Sequence, residues 1–159
     1  MTVPDNVLKI DSGAFNRCIR LTSVNIPDGI TKIDSETFNQ CVSLKSIAIP
    51  ESVIEIGYGA FEDCVCLTSV NIPDSVTKIG IDAFRGCTNL ASIALPNGLN
   101  KINYHAFMEC ASLTSVTIPD GVIEYGSEIF CSCKDITITY KGKIYDHENR
   151  GLVHSAIMW

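Results

Sequence analysis

Residues Leu67 to Cys87 read LTSVNIPDSVTKIGIDAFRGC, and this stretch decides the fold because its pattern returns along the chain every 23 residues. Proline, phenylalanine and cysteine mark the repeat six times each. They fall at Pro4, Pro27, Pro50, Pro73, Pro96 and Pro119, at Phe15, Phe38, Phe61, Phe84, Phe107 and Phe130, and at Cys18, Cys41, Cys64, Cys87, Cys110 and Cys133. A spacing that does not drift predicts a solenoid, in which each unit packs against its neighbours.

The segment before each proline has the pattern of a half-buried β-strand. In the second copy, Val24 and Ile26 alternate with Ser23 and Asn25, which places apolar and polar side chains on opposite faces. Proline ends the strand because it lacks the N–H that a ladder needs, and the small polar residues that follow favour a turn. The return segment is too short for a long helix, so we expect a short extended or single-turn segment there.

The two ends of the array depart from this pattern. The first copy starts at Pro4 without its leading strand, which predicts either a fragment of a longer array or an end that meets a partner. In the last copy, Tyr125 replaces isoleucine, and a strand over 136–140 is followed by a Lys-Gly pair. We expect a hairpin through Lys143–Tyr145 and then a short amphipathic helix over 146–158, which together cap this end.

The repeat resembles the BspA-like (Treponema-pallidum-type) leucine-rich repeat, whose pattern is L-x-x-L-x-L-P-x-x-L-x-x-I-x-x-x-A-F-x-x-C. Residues 67–87 and the stretch LASIALPNGLNKINYHAFMEC at 90–110 fit it at every defined column. The resemblance implies a right-handed, β-rich solenoid of about six 23-residue coils over residues 1–140, with strands on a concave face. Residues 141–159 would form the hairpin-plus-helix cap of the same domain. Members are often large bacterial or protist surface proteins credited with adhesion, and no catalytic residues come with the family.

Composition and charge narrow the function. The chain has 159 residues, 46% of them hydrophobic, which suffices for one domain with a continuous core. Its formal net charge of −6 argues against a nucleic-acid partner. No stretch approaches the roughly 20 apolar residues of a membrane-spanning helix, so no membrane insertion is expected. No signal peptide or anchor is visible, and a cell-surface or secreted location is implied only by the resemblance.

Eight cysteines suggest disulfides, but six of them share one repeat position. Neighbouring coils would hold their Cβ atoms about 4.8 Å apart, whereas a disulfide needs about 3.8 Å. We therefore expect small, buried, apolar groups rather than bridges. Cys66 and Cys131 each form a C-x-C pair with a column cysteine, which falls short of a four-ligand zinc site.

The polar residues of the predicted strands form the candidate ligand-binding site. Small hydroxyl and amide groups suit hydrogen bonding to an extended peptide or a glycan. The alternative is that a curved strand face simply accommodates small polar residues, and the absence of aromatic residues weakens the binding hypothesis. The candidate residues are Ser23, Asn25, Ser46, Ser69, Asn71, Ser92, Ser115 and Thr117.

Two further patterns point to other surfaces. The outer positions Tyr58, Ile81 and Tyr104, near Arg85 and Met108, form a second candidate binding patch because they are the most aromatic and apolar of the variable positions. An acidic column follows the prolines, where carboxylates either bind calcium or bond to nearby backbone N–H groups in turns. Its members are Asp5, Asp28, Glu51, Asp74 and Asp120, with Asn97 in the fifth copy.

The sequence therefore predicts a non-enzymatic, adhesin-type binding module that recognises host or cell-surface proteins or glycans without a cofactor or metal. The alternative is a structural or scaffold segment of a longer repeat array that self-associates through its uncapped N-terminal end. A more distant hypothesis is a hydrolase built on Cys66 or Cys131, for which no orienting partner can be named among His105 and the other histidines.

Overall fold

The computed structural model describes residues 1–146, which form a β-solenoid of about five turns with a spacing of about 23 residues. Each turn contributes a longer strand, a two-residue strand and a tight segment of turns. The longer strands are β2 (Ser46–Ala48), β4 (Ser69–Asn71), β6 (Ser92–Ala94), β8 (Ser115–Ile118) and β10 (Thr137–Tyr140). The short strands are β1 (Lys32–Ile33), β3 (Glu55–Ile56), β5 (Lys78–Ile79), β7 (Lys101–Ile102) and β9 (Glu124–Tyr125), and β11 (Lys143–Tyr145) ends the described chain.

The longer strands are parallel and keep one register, as the period predicts. Ser46 pairs with Ser69 and Ser69 with Ser92, so equal repeat positions lie side by side. Isolated bridges from Thr2 to Asn25 and from Asn25 to Ala48 continue the row toward the N-terminus. Residues 1–3 therefore occupy the end of the first leading strand, where the sequence analysis expected none. We call the exposed side chains of this row the long-strand face.

The short strands form one five-stranded parallel sheet in the order β1-β3-β5-β7-β9. Each of the first four points an isoleucine into the core and a charged residue outward. Opposite charges meet across coils, with 2.9 Å between Lys78 Nζ and Glu55 Oε1 and 2.6 Å between Lys101 Nζ and Glu124 Oε2. The expectation of a short extended return segment is confirmed.

The third side of each coil is a tight segment that contains the repeated phenylalanine, over 11–18, 34–41, 57–64, 80–87, 103–110 and 126–133. We call its exposed surface the turn face. Two residues of each segment, four positions apart, have positive φ, for example Glu36 at 55° and Gln40 at 56°. These turns aim alternate N–H groups at the next coil. In the second segment, hydrogen bonds of 2.7, 2.8 and 2.7 Å run from the N–H groups of Glu36, Phe38 and Gln40 to the carbonyls of Tyr58, Ala60 and Glu62.

The core is a set of columns that run the length of the solenoid. The six phenylalanine rings stack with centroids 5.1–5.5 Å apart and planes within 10° of parallel. The rings from Phe38 to Phe130 are fully buried, whereas Phe15 in the first coil is only partly covered. Stacked aromatic pairs stabilise a fold beyond the area that they bury, so each ring also fixes the position of the next.

Glycine is required where neighbouring coils approach most closely, at the corner before the turn face. A Cβ atom at Gly80 would lie 2.5 Å from the backbone carbonyl atoms of Gly57. At Gly126 it would lie 2.0 Å from the backbone nitrogen of Tyr104. Real Cβ atoms do not tolerate such distances, so a side chain there would force the coils apart.

The C-terminal hairpin is confirmed. Strand β11 pairs antiparallel with β10, and Lys141 and Gly142 connect them with φ of 49° and 71°. This is the pair of positive angles that a two-residue hairpin turn favours. The Tyr125 ring lies edge-on to Tyr140 with centroids 5.8 Å apart, which fills the end of the isoleucine column. Of the expected helix over 146–158, all but its first residue lies outside the described residues.

We expect Phe84→Ala to lower the free energy of unfolding by about 3–5 kcal/mol, because it opens a ring-sized cavity between two stacked neighbours. Chemical denaturation measures this difference. Tyr104→Ala is the matched control because Tyr104 is 50% exposed, and it should have little effect. A near-neutral Phe84→Ala would contradict the continuous phenylalanine column.

A pair of glycine substitutions tests the close approach of the coils. Gly80→Ala should destabilise the protein by about 1–3 kcal/mol or more, because its Cβ would overlap the backbone of Gly57. Gly121→Ala adds the same methyl group where the nearest atoms are 3.5 Å away, and it should be tolerated. Equal melting temperatures for the two variants would show that the corner does not limit coil spacing.

Candidate functional site

The long-strand face carries a row of hydroxyl groups, one from each successive coil. Paired residues of adjacent strands are neighbours on the same face, about 4.8 Å apart along the solenoid. All five serines are exposed, and Thr137 of β10 pairs with the last of them. The row consists of Ser23, Ser46, Ser69, Ser92, Ser115 and Thr137.

A second exposed row runs parallel to the first, two residues further along each strand. Amide, methyl and hydroxyl groups alternate in it, and none of its members carries a charge. Asn25, Asn71 and Thr117 belong to it, so all eight candidate residues of the sequence analysis lie on one surface and are exposed. The full row is Asn25, Ala48, Asn71, Ala94, Thr117 and Thr139.

The serine row differs from the serines that serve the fold. Within residues 1–146, the side-chain hydroxyls of the five serines in the row make no hydrogen bond to the protein. By contrast, the Ser52 hydroxyl donates to the carbonyl of Ile30 and the Ser75 hydroxyl to that of Val53, each at 2.7 Å. The row therefore presents donors and acceptors that the fold does not use.

The pairing of the longer strands is interrupted once. Strands β2, β4 and β6 form one sheet and β8, β10 and β11 another, so within the described chain no ladder joins β6 to β8. The gap opens a cleft of about 390 Å³ between them, lined among others by Ser92, Leu95, Thr117 and Thr139. Leu95 stands where the other copies have isoleucine and is only partly buried, and this substitution is the signal in the sequence that marks the break.

The cysteine column is a structural feature without reactive character. Five thiols donate hydrogen bonds to the phenylalanine carbonyl of the preceding coil at 3.1–3.2 Å, and all eight cysteines are free. Burial raises the pKa of Cys41 to about 11 and also raises the pKa values of Cys64, Cys87 and Cys110. These thiols therefore stay protonated, as hydrogen-bond donors must.

Metal binding finds no geometric support in residues 1–146. No group of three or more His, Cys, Asp or Glu side chains is placed to hold an ion there. In the acidic column after the prolines, Asp74 Oδ1 instead accepts a hydrogen bond of 3.1 Å from the backbone N–H of Asn97. This is the turn role that the sequence analysis left open beside calcium. The described residues also include no helix long and apolar enough to cross a membrane.

The second candidate patch lies on the turn face. Tyr58, Ile81 and Tyr104 occupy one repeat position in three successive coils and are 45%, 39% and 50% exposed. Arg85 and Met108 lie four positions further in their coils and are half-buried. The patch is thus an exposed stripe of large side chains, on a different surface from the serine row.

Comparisons with known proteins agree with this geometry. The family model of the BspA type leucine rich repeat region matches residues 8–137 in six copies. No curated protein sequence matches the chain.

Several solved structures share the fold. The T. pallidum leucine rich repeat protein is 30% identical with a TM-score of 0.84, over 89% of this chain and 68% of that one. A leucine-rich repeat protein from Bacteroides ovatus is 31% identical with a TM-score of 0.80, over 86% of this chain and 38% of that one. A leucine rich cell surface protein from Faecalibacterium prausnitzii is 29% identical with a TM-score of 0.63, over 89% and 47%.

Thiol chemistry tests the cysteine column. A thiol reagent such as DTNB should react in the native state only with the half-buried Cys18, Cys66 and Cys131, and with the five buried thiols only after denaturation. A reductant should leave the melting temperature unchanged, because the free thiols hold no covalent bridge. A large drop in melting temperature with reductant would contradict this assignment.

Proposed function

The chain belongs to the BspA-type leucine-rich repeat family, and from that premise we propose that it is a non-enzymatic, adhesin-type binding module. Its long-strand face recognises a protein or glycan ligand. No cofactor and no metal take part in this recognition, and the ligand is not a nucleic acid.

One observation carries this proposal: the serine hydroxyls of five successive coils are exposed and unused by the fold. A hydroxyl group both donates and accepts, so the row offers a ligand a repeated hydrogen-bonding partner. The neighbouring row of Asn25, Asn71 and Thr117 adds amide and hydroxyl groups without charge. The ligand that suits this surface is therefore an extended and uncharged segment of peptide or glycan, laid across several strands.

Similarity supports a location at the cell surface or outside the cell. The similar structure from Faecalibacterium prausnitzii is described as a leucine rich cell surface protein. A surface location places an adhesin where its ligand is. We include it in the proposal together with the binding role.

A scaffold role is the second candidate, and the first coil favours it. Phe15, Cys18 and Leu21 are only partly buried, whereas the same columns are closed in the coils that follow. A further coil, or a second copy of the chain, stacked on this end would cover these side chains. Self-association through the N-terminal end is therefore the alternative to ligand binding.

The binding role is tested with a glycan array and a panel of cell-surface proteins probed with the wild-type chain. Ser69→Arg and Ser92→Arg should abolish any binding found, because each places a long charged side chain over the neutral row. Ser12→Arg is the matched control, since Ser12 is exposed on the turn face. Binding that survives both long-strand variants would reject the long-strand face as the site.

Light scattering across concentration separates the scaffold role. A monomer at all concentrations would reject it. A dimer that dissociates when a capping repeat is fused before Met1 would support it, because the cap covers the partly exposed first coil.

A further inference from the structure

We propose that the turn face is a second binding site, and that its ligand is a short extended segment of a partner protein in which lysine or arginine alternates with apolar residues. This site goes beyond the function proposed for the long-strand face. It lies on another side of each coil and selects a ligand of different chemistry.

The apolar part of the site is the stripe of Tyr58, Ile81 and Tyr104. These side chains are 45%, 39% and 50% exposed although they are among the largest on the surface. The same repeat position holds serine in the three other copies, at Ser12, Ser35 and Ser127. The fold therefore accepts a small polar residue at this position, and the three large residues are not needed to build the coil.

Carboxylates converge beside the stripe. Gly59 leaves room for them, because a Cβ atom there would lie 3.1 Å from Glu62 Oε2 and 3.6 Å from Glu36 Cγ. Burial raises the pKa of Glu62, and the nearby charges of Asp82 and Asp63 raise it further. The Glu62 charge in turn raises the pKa of the Tyr58 hydroxyl, with burial, Asp82 and Glu36 adding to it. The aromatic stripe thus stands in a field of several negative charges.

Positive charge on this part of the surface does not balance the carboxylates. Arg85 lies between two of them, with 3.7 Å from Nη1 to Glu62 Oε1 and 3.9 Å from Nη2 to Glu109 Oε1. Both distances exceed a hydrogen bond. Glu62 accepts its one short bond, of 2.8 Å, from the neutral amide of Asn39. One guanidinium thus serves a group that also includes Glu36, Asp63 and Asp82.

Asp82 is the member of the group that most needs a partner. The residue is only 9% exposed, and its buried Oδ1 has no hydrogen-bond donor among the described residues. His105 Nδ1 lies 3.5 Å away without forming a hydrogen bond, and its Nε2 lies 3.7 Å from Glu128 Oε2. An unpaired buried carboxylate is costly. An ammonium or guanidinium group bound beside Ile81 would supply the missing counter-charge.

The chemistry of the surface selects a peptide cation. A metal ion is disfavoured, because no three suitable ligands are placed together in residues 1–146. Tyrosine faces attract ammonium and guanidinium groups, and tyrosine is enriched where binding energy concentrates. Three coils span about 10 Å at the usual strand spacing, which is the length of about three to four residues of extended chain. The ligand segment is therefore short, with basic and apolar side chains close together.

The test is isothermal titration of the full chain with three synthetic peptides. The first alternates lysine and leucine over six residues, the second alternates lysine and glycine, and the third alternates glutamate and leucine. Only the lysine–leucine peptide should bind with measurable heat, and raising the salt concentration should weaken it by screening the charges. No binding of this peptide, or equal binding of the lysine–glycine peptide, would overturn the proposal.

Variants locate the binding. Tyr58→Ser combined with Tyr104→Ser, and separately Asp82→Asn, should each lower the affinity for the lysine–leucine peptide about tenfold or more, a change that corresponds to 1.4 kcal/mol. Serine is native at this repeat position in other copies. If Asp82→Asn does not fold, Asp82→Gly replaces it, since Gly13 and Gly59 hold the same repeat position with positive φ.

Two controls separate binding at the turn face from attraction by net charge and from binding at the long-strand face. Asp120→Asn removes a remote exposed carboxylate and should leave the affinity unchanged, whereas an equal loss would show attraction by net charge alone. Ser69→Arg and Ser92→Arg should also leave it unchanged, because they lie on the long-strand face. Loss of peptide binding in these two variants would place the ligand there instead and overturn the second site.

Discussion

Backbone hydrogen bonds from each coil to the next set the constraint on which the rest of the structure depends. The N–H groups of Phe38, Phe61 and Phe84 each donate to the next coil at 2.8 Å, to carbonyls that lie 22 residues ahead. Parallel pairing of both strand sets imposes the same step. A coil that was one residue longer would move these donors out of line and turn its core side chains to the other face. The constant period, the stacked rings and the glycine corner all follow from this step.

Much of the architecture could be predicted because it depends on periodicity. The columns of Leu44, Phe61 and Cys87 type, the strand before each proline and the C-terminal hairpin follow from which side chains are apolar and at what spacing. Free thiols followed from the geometry of a column. The stripe of Tyr58 and Tyr104 also stood out, because large side chains interrupt an otherwise small and polar position.

Other features depend on backbone angles and gaps that residue types do not encode. The left-handed residues of the turn face include Glu36, Asp82 and His105, which are not the glycines that signal positive φ. The break between β6 and β8 is marked in sequence only by Leu95 in place of isoleucine. The first leading strand is represented by residues 1–3 alone, too few for an alternating pattern to show. For the candidate site, sequence located the serine row, and only the structure separated its unused hydroxyls from those of Ser52 and Ser75.

The serine row also has a property that belongs to it as a whole, namely its phase. Its hydroxyls recur at the strand spacing of about 4.8 Å, while an extended chain advances about 3.3 Å per residue. Two coils therefore correspond to three residues of an extended chain laid along the solenoid, with a mismatch of only a few tenths of an ångström. Every second hydroxyl then meets an equivalent backbone group. A partner with another repeat length falls out of step within a few coils, so the face selects its ligands by commensurability as well as by chemistry.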